Sequence, residues 1–313
     1  MTGFDRRTQE AMNQSRQEHS THLELLEGRQ KQQRELAAKA IEGEHEKTRR
    51  LEKQRKYDNS VGKIISTASL KSETSSLSRR QIQEAATDIA TDDRSTQMDK
   101  NIAGIYQTLP GYLQAETLLR KSYLPDDQYE KLRLNRVLFN ESLKNIIDTE
   151  PKTTTEELHR YTTDAALTYG YKGSELDFIS EATDTTIQGM RHELALESVL
   201  YRIGYEVEDT TPQDDLHGID YRIERGDGTK ISIDVKASEA AAERSMQKSE
   251  EWHRENGTTR PATELVLASG FTKYDFEATN PWRPTEQAIQ RVMPLIEAQI
   301  EAVPSYLDES AIV

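Results

Sequence analysis

The chain has 313 residues, no cysteine, 41 Lys/Arg against 55 Asp/Glu, and a formal net charge of -14. Disulfides and cysteine-ligated zinc are excluded. No apolar run is long enough to span a membrane, and the polar N-terminus does not read as a secretory signal, so a soluble cytoplasmic protein without a membrane partner is expected. Only 34% of residues are hydrophobic and 31% are charged, which argues for two domains rather than one large core.

The charge is uneven. Residues 1–63 carry 14 Lys/Arg and 11 Asp/Glu, and the remaining residues carry 27 and 44. From Asp5 to Tyr57 there is no proline, only Gly28 and Gly43 as glycines, and an abundance of Gln, Glu, Arg and Lys. These are good helix formers. Leu23–Leu26 and Leu36–Ala40 make short heptad-like steps, but no heptad is sustained. Residues 1–58 are expected to form a charged helical arm or weak coiled coil. Its readings are self-association, a protein partner, or nucleic acid through Arg49-Arg50, Lys53 and Arg55-Lys56, against a solvated helix with no partner.

Residues 59–80, rich in Ser and Thr, read as a linker. Residues 81–183 read as a helical domain, with elements near Ser78–Ile89, Ile102–Tyr106, Leu113–Leu119, Asp126–Ile147, Thr154–Leu167 and Glu175–Glu181. The stripe Tyr129, Leu132, Leu134, Val137, Leu138, Leu143, Ile146 and Ile147 marks Asp126–Ile147 as the clearest of them.

A further helix is predicted from Asp184, as N-cap, to a stop at Gly204. Leu196, Val199, Leu200 and Ile203 share its apolar face, and Glu193 lies at the edge of that face. A short strand follows around Tyr205–Glu208. Residues 219–224 and 230–236 alternate apolar and polar with period two, and Arg225-Gly226-Asp227-Gly228 between them signals a tight hairpin. Ser238 caps a helix over 239–255, Leu265–Ala268 reads as a buried strand, and a last helix over 285–302 contains Pro294, expected to kink or split it.

The hairpin alone brings Asp220, Asp234 and Lys236 to one face. Neighbouring carboxylates repel unless a cation lies between them. Mg²⁺ typically takes one or two carboxylates plus substrate phosphate. A lysine two residues beyond Asp234 could orient a water and stabilise charge developing on phosphorus. The competing reading is a solvated hairpin face with Lys236 neutralising the acids. His217 could contact a phosphate or simply be an exposed loop residue.

These residues resemble the PD-(D/E)XK nuclease superfamily, whose fold is restriction-endonuclease-like. The pattern there is a helix glutamate, a Gly-Tyr-x-Val entry to the first strand, an aspartate on the second and (D/E)-x-K on the third. Here these are Glu193, Gly204-Tyr205-Glu206-Val207, Asp220 and Asp234-Val235-Lys236. The spacing is similar to Mrr-like endonucleases and archaeal Holliday-junction resolvases. Ile219 stands where the name-giving proline would be. The resemblance covers about residues 184–270. It implies an α+β/α/β fold, with a nuclease-like domain over 184–303 in the order helix, three strands, helix, strand, helix, preceded by an all-α region with a long N-terminal helix and followed by a tail at 304–313.

It also implies a divalent-metal-dependent DNA endonuclease of restriction or defence type. Asp220, Asp234, the Val235 carbonyl and Glu193 would hold Mg²⁺ or Mn²⁺, and Lys236 would position the attacking water. Glu197 is the rival to Glu193, which is favoured by its angular position and its distance from Gly204. Cutting both strands suggests a homodimer. The alternative is a non-catalytic assembly or adaptor protein built on the same fold. The net charge counts against ordinary duplex binding. An acidic, threonine-rich, cysteine-free chain resembles halophilic proteins, however, and molar salt screens such repulsion.

Overall fold

The computed structural model describes residues 39, 42–72, 77–119, 124–208 and 210–305. The chain is mixed α/β and divides into two compact units, residues 1–59 and 60–313. Of the arm expected over 1–58, residues 42–58 are helical, and residues 1–38, 40 and 41 lie outside the described residues. Glu46 there bonds Arg49 at 2.9 Å and Arg50 at 3.2 Å, the i,i+3 and i,i+4 pairs that support a solvated helix.

The expected linker is corrected. Helix α1 runs over 42–70, so residues 59–70 are helical, and Ser60, Ile64 and Ala68 are buried. Their i, i+4, i+8 spacing is a helical stripe hidden inside a Ser/Thr-rich composition. Helices α2 (Arg79–Thr91), α3 (Gln97–Leu119), α4 (Asp126–Thr149) and α5 (Thr155–Thr168) complete the helical region. Capping boxes at Ser78 and Thr154 start α2 and α5.

α3 joins two helices that the sequence suggested were separate. Pro110 lies inside it and has no N–H to give the carbonyl four residues earlier, that of Tyr106. The Tyr169 hydroxyl donates to that carbonyl instead. Tyr112 stacks on Phe139 of α4 with ring centroids 4.1 Å apart, in a core that includes Ile82, Ile105, Leu109 and Leu143.

α6 spans Ser174–Ile203, so Asp184 lies within the helix rather than at its cap. Nothing between 174 and 184 breaks a helix, and Ile179, Ala182 and Thr183 are buried along it. α6 therefore runs from the helical region into the sheet region. Residues 60–313 form one compact unit rather than separate domains at 81–183 and 184–303. Gly204 ends α6 at φ 106°, a left-handed cap suited to glycine.

The sheet has the order β1-β2-β3-β4, formed by β1 (Val207–Glu208), β2 (Tyr221–Glu224), β3 (Lys230–Lys236) and β4 (Glu264–Ala268). β1–β2 and β2–β3 are antiparallel and β3–β4 is parallel. α7 (Pro212–Leu216) lies between β1 and β2, and α8 (Glu239–Glu255) makes the crossover from β3 to β4. α6 and α9 (Glu286–Glu301) bury Leu196, Val199, Leu200, Val292 and Ile296 against Tyr221, Ile223, Ile231, Ile233 and Val235. α9 continues through Pro294 as one helix. The sequence pattern missed the small hairpin of β5 (Phe276–Glu277) and β6 (Asn280–Pro284).

The β2–β3 turn is looser than a two-residue hairpin. Arg225 and Thr229 close it around Gly226–Gly228, with Gly228 at φ 83°. Buried Arg225 pairs with Asp227 at 2.7 Å and donates to the carbonyls of Ile300 at 3.1 Å and Val303 at 2.6 Å. A cation thus caps the negative end of α9 and ties the hairpin to it.

Candidate active site

The β2–β3 register sets the geometry. Tyr221 faces Ile233 and Arg222 faces Ser232, and the regular register ends there, with Asp220 immediately before β2. The Asp220 amide donates to the Ile233 carbonyl at 2.8 Å, an off-register bond that ties Asp220 to β3 where the ladder ends. The buried residues of β3 are Ile231, Ile233 and Val235, which leaves Asp234 and Lys236 on the half-buried face.

Three interactions hold these groups. The Val235 N–H donates to Asp220 Oδ2 at 2.6 Å. Lys236 Nζ donates to Asp234 Oδ1, and the Ser245 hydroxyl of α8 donates to Asp234 Oδ2 at 2.8 Å. The Gly218 and Ile219 amides turn back to the carbonyls of Asp215 and Asp214. The Val235 carbonyl lies on the same strand edge as its N–H, facing the end of the β2 ladder.

Glu193 joins from α6, and the electrostatics show the crowding. Burial first, and then the charge of Asp215, push the Glu193 carboxyl up to about 7. Lys144 and Lys236 oppose that rise and Asp234 adds to it. Burial raises Asp220 well above the carboxylate range, with Glu193 and Asp234 adding to it and Lys236 opposing. Burial raises the Tyr221 hydroxyl, and the charges of Glu193, Glu197 and Asp220 add to that rise. The structure therefore brings together Glu193, Asp220, Asp234 and Lys236.

His217 is not drawn in. It is exposed at the end of α7, with its ring nitrogen 3.2 Å from the Gln213 amide. His192 is tied through Nδ1 to the buried Ser269 hydroxyl at 2.7 Å.

Sequence reasoning missed Asp215, Ser245, and Arg133, Glu141 and Lys144 of α4. Burial raises the Asp215 carboxyl, Glu141 adds to it, and Arg133, Lys236 and Lys144 oppose it. Asp215 follows a capping box at Thr211, a recognisable start for α7. Nothing local signals that α4 packs against α7.

The donor set suits a hard divalent cation, because every candidate ligand is an oxygen. Glu193 and Asp220 have raised affinity for protons because burial, and after it the neighbouring acids, disfavour their charged forms more than Lys236 favours them. Among the described residues, however, no three His, Asp or Glu side chains already converge as a metal-holding group. Both Asp234 oxygens are taken by Lys236 and Ser245, so an ion would have to displace a hydrogen bond there. Comparison with protein-family models, curated proteins and solved structures found no match to this chain.

Proposed function

We propose that this chain is a divalent-metal-dependent DNA endonuclease that hydrolyses phosphodiester bonds, of restriction or defence type. The observation that carries the reading is the gathering of Asp220, held by the Val235 N–H, with Asp234, Lys236 and Glu193, whose charges act on one another. Asp220, Asp234, the Val235 carbonyl and Glu193 would hold Mg²⁺ or Mn²⁺. When bound, the ion supplies a Lewis acid for the phosphate and acidifies a water.

The chain's own groups have separate roles. Val235 N–H fixes the Asp220 carboxylate. Ser245 fixes Asp234. Lys236, displaced from Asp234 by the ion, would orient the attacking water and stabilise charge developing on phosphorus. Glu193 would complete the ion's ligand shell directly or through a water. A homodimer would supply one such site per strand.

One observation favours a second reading, a non-catalytic binding scaffold. Lys236 and Ser245 already satisfy both Asp234 oxygens, and a closed network of this kind can be structural. Plasmid and branched DNA incubated with Mg²⁺ or Mn²⁺, from low to molar KCl, separate the two. The nuclease reading expects cleavage by the parent and its loss in Asp234→Ala and Lys236→Ala. A parent that cuts nothing, or variants that cut equally well, would leave the scaffold.

A further inference from the structure

Helix α4 belongs to the helical region but reaches the carboxylate cluster. It packs against α7, which carries Asp215, and touches α6, which carries Glu193. Arg133, Glu141 and Lys144 fall at i, i+8 and i+11 and so share one side of the helix. The charges of Arg133 and Lys144 act on Asp215, and that of Lys144 acts on Glu193 as well.

These two cations differ from the others near the site. Lys236 is engaged by Asp234, and Arg222 is paired with Asp214 at 2.7 Å. Among the described residues Arg133 and Lys144 make no ion pair within 4 Å. Lys144 is exposed, and the half-buried Arg133 guanidinium lies 5.9 Å from the Tyr129 ring centroid. Two cations are thus held beside a group of acids without being used up by them.

We propose that Arg133 and Lys144 form a phosphate-binding wall that holds the DNA backbone against the Asp220–Asp234–Lys236 site. This rests on the nuclease reading above. Phosphate contacts by Lys and Arg supply most of the sequence-independent affinity for DNA. A chain of net charge -14 needs such contacts concentrated near its chemistry. Glu141 shares the helix side and sets the limit of the wall, since its carboxylate repels a phosphate passing closer to Asp215. The helical region then contributes to substrate binding rather than only supporting the sheet.

The test measures binding and cleavage separately. Fluorescence anisotropy of a short labelled duplex, with Ca²⁺ in place of Mg²⁺, gives Kd across a KCl series, and plasmid cleavage in Mg²⁺ gives kcat and KM. The double variant Arg133→Ala/Lys144→Ala should weaken binding about 10-fold or more. It should lower the slope of log Kd against log[KCl] by about 2, close to one per lost phosphate contact. KM should rise with kcat nearly unchanged. Lys144→Arg should restore much of the affinity, and Lys131→Ala, on the opposite side of α4, should change nothing.

A double variant with unchanged Kd and salt slope overturns the wall, while cleavage by the parent would leave the nuclease reading standing. A parent that binds DNA through these residues but never cuts it overturns the nuclease reading alone. A parent that binds no DNA at any KCl overturns both.

Discussion

Asp99 in α3 and Asp220 at the head of β2 are both acids largely withdrawn from water, but their surroundings act in opposite directions. Burial would raise Asp99, yet the Ser60 hydroxyl at 2.7 Å, the Thr96 amide at 3.0 Å and Lys63 at 3.1 Å outweigh it and hold the carboxyl below its ordinary range. For Asp220 burial prevails: Glu193 and Asp234 add to the rise, and Lys236 and the one backbone hydrogen bond it accepts do not outweigh it. The first arrangement ties α1 to α3. The second leaves like charges crowded where a cation would relieve them, which is where function is to be sought. Burial alone therefore does not separate a structural acid from a candidate catalytic one; its partners do.

The comparison can be broken first at the chemistry. Asp234→Ala or Lys236→Ala should reduce Mg²⁺-dependent plasmid nicking at least about a hundredfold, with the far-ultraviolet circular dichroism spectrum unchanged. Nicking at the parental rate would place the cluster with Asp99, as architecture.

Stability should move the other way. Asp99→Ala leaves the Ser60 hydroxyl and the Thr96 amide short of a partner and should cost about 2 kcal/mol in urea unfolding. Asp220→Asn replaces a carboxyl whose charged form is disfavoured by burial and by Glu193 and Asp234, so without divalent ions it should leave stability unchanged or raise it by about 1 kcal/mol. Equal losses in the two variants would erase the distinction.

The pH dependence sharpens the same contrast. Glu193 is raised to about 7, so the folded state holds its proton more tightly than the unfolded chain does. In metal-free protein its contribution should fall as pH rises from the ordinary carboxylate range through about 7. Asp99 is lowered, so its contribution is present above the ordinary range and is lost as pH falls through its folded value. Unfolding midpoints from pH 4 to 8 should decline at the upper end for the parent and less for Glu193→Gln. A flat comparison removes Glu193 from the cluster. The smallest effect belongs to the turn: Gly228→Ala, at φ 83° with open space around its Cβ, should cost about 1 kcal/mol.

The hairpin could be read from the chain because period-two alternation decides which side chains share a face, and register follows once the turn is placed. That places Asp220, Asp234 and Lys236 without tertiary information. α8 was readable for a similar reason, since Ser238 caps it and accepts from the Ala241 amide. α3 and α6 were cut short because Pro110 and Asp184 look like local boundaries. The Tyr169 hydroxyl, 59 residues beyond Pro110, serves the carbonyl that the proline leaves without a donor. Asp215, Ser245, Arg133 and Lys144 reach the site only through packing of α7, α8 and α4, and no local pattern records such packing.

Calorimetric titration of Mn²⁺ or Mg²⁺ into the parent, Asp220→Asn and Asp234→Ala tests the central claim most directly. At pH 6.5 the parent should bind the ion and release protons as the raised carboxyls give them up, so the measured heat should vary with the buffer's ionisation enthalpy. Both variants should lose that binding. A parent that takes up no divalent ion, or variants that bind it as tightly, would contradict the account.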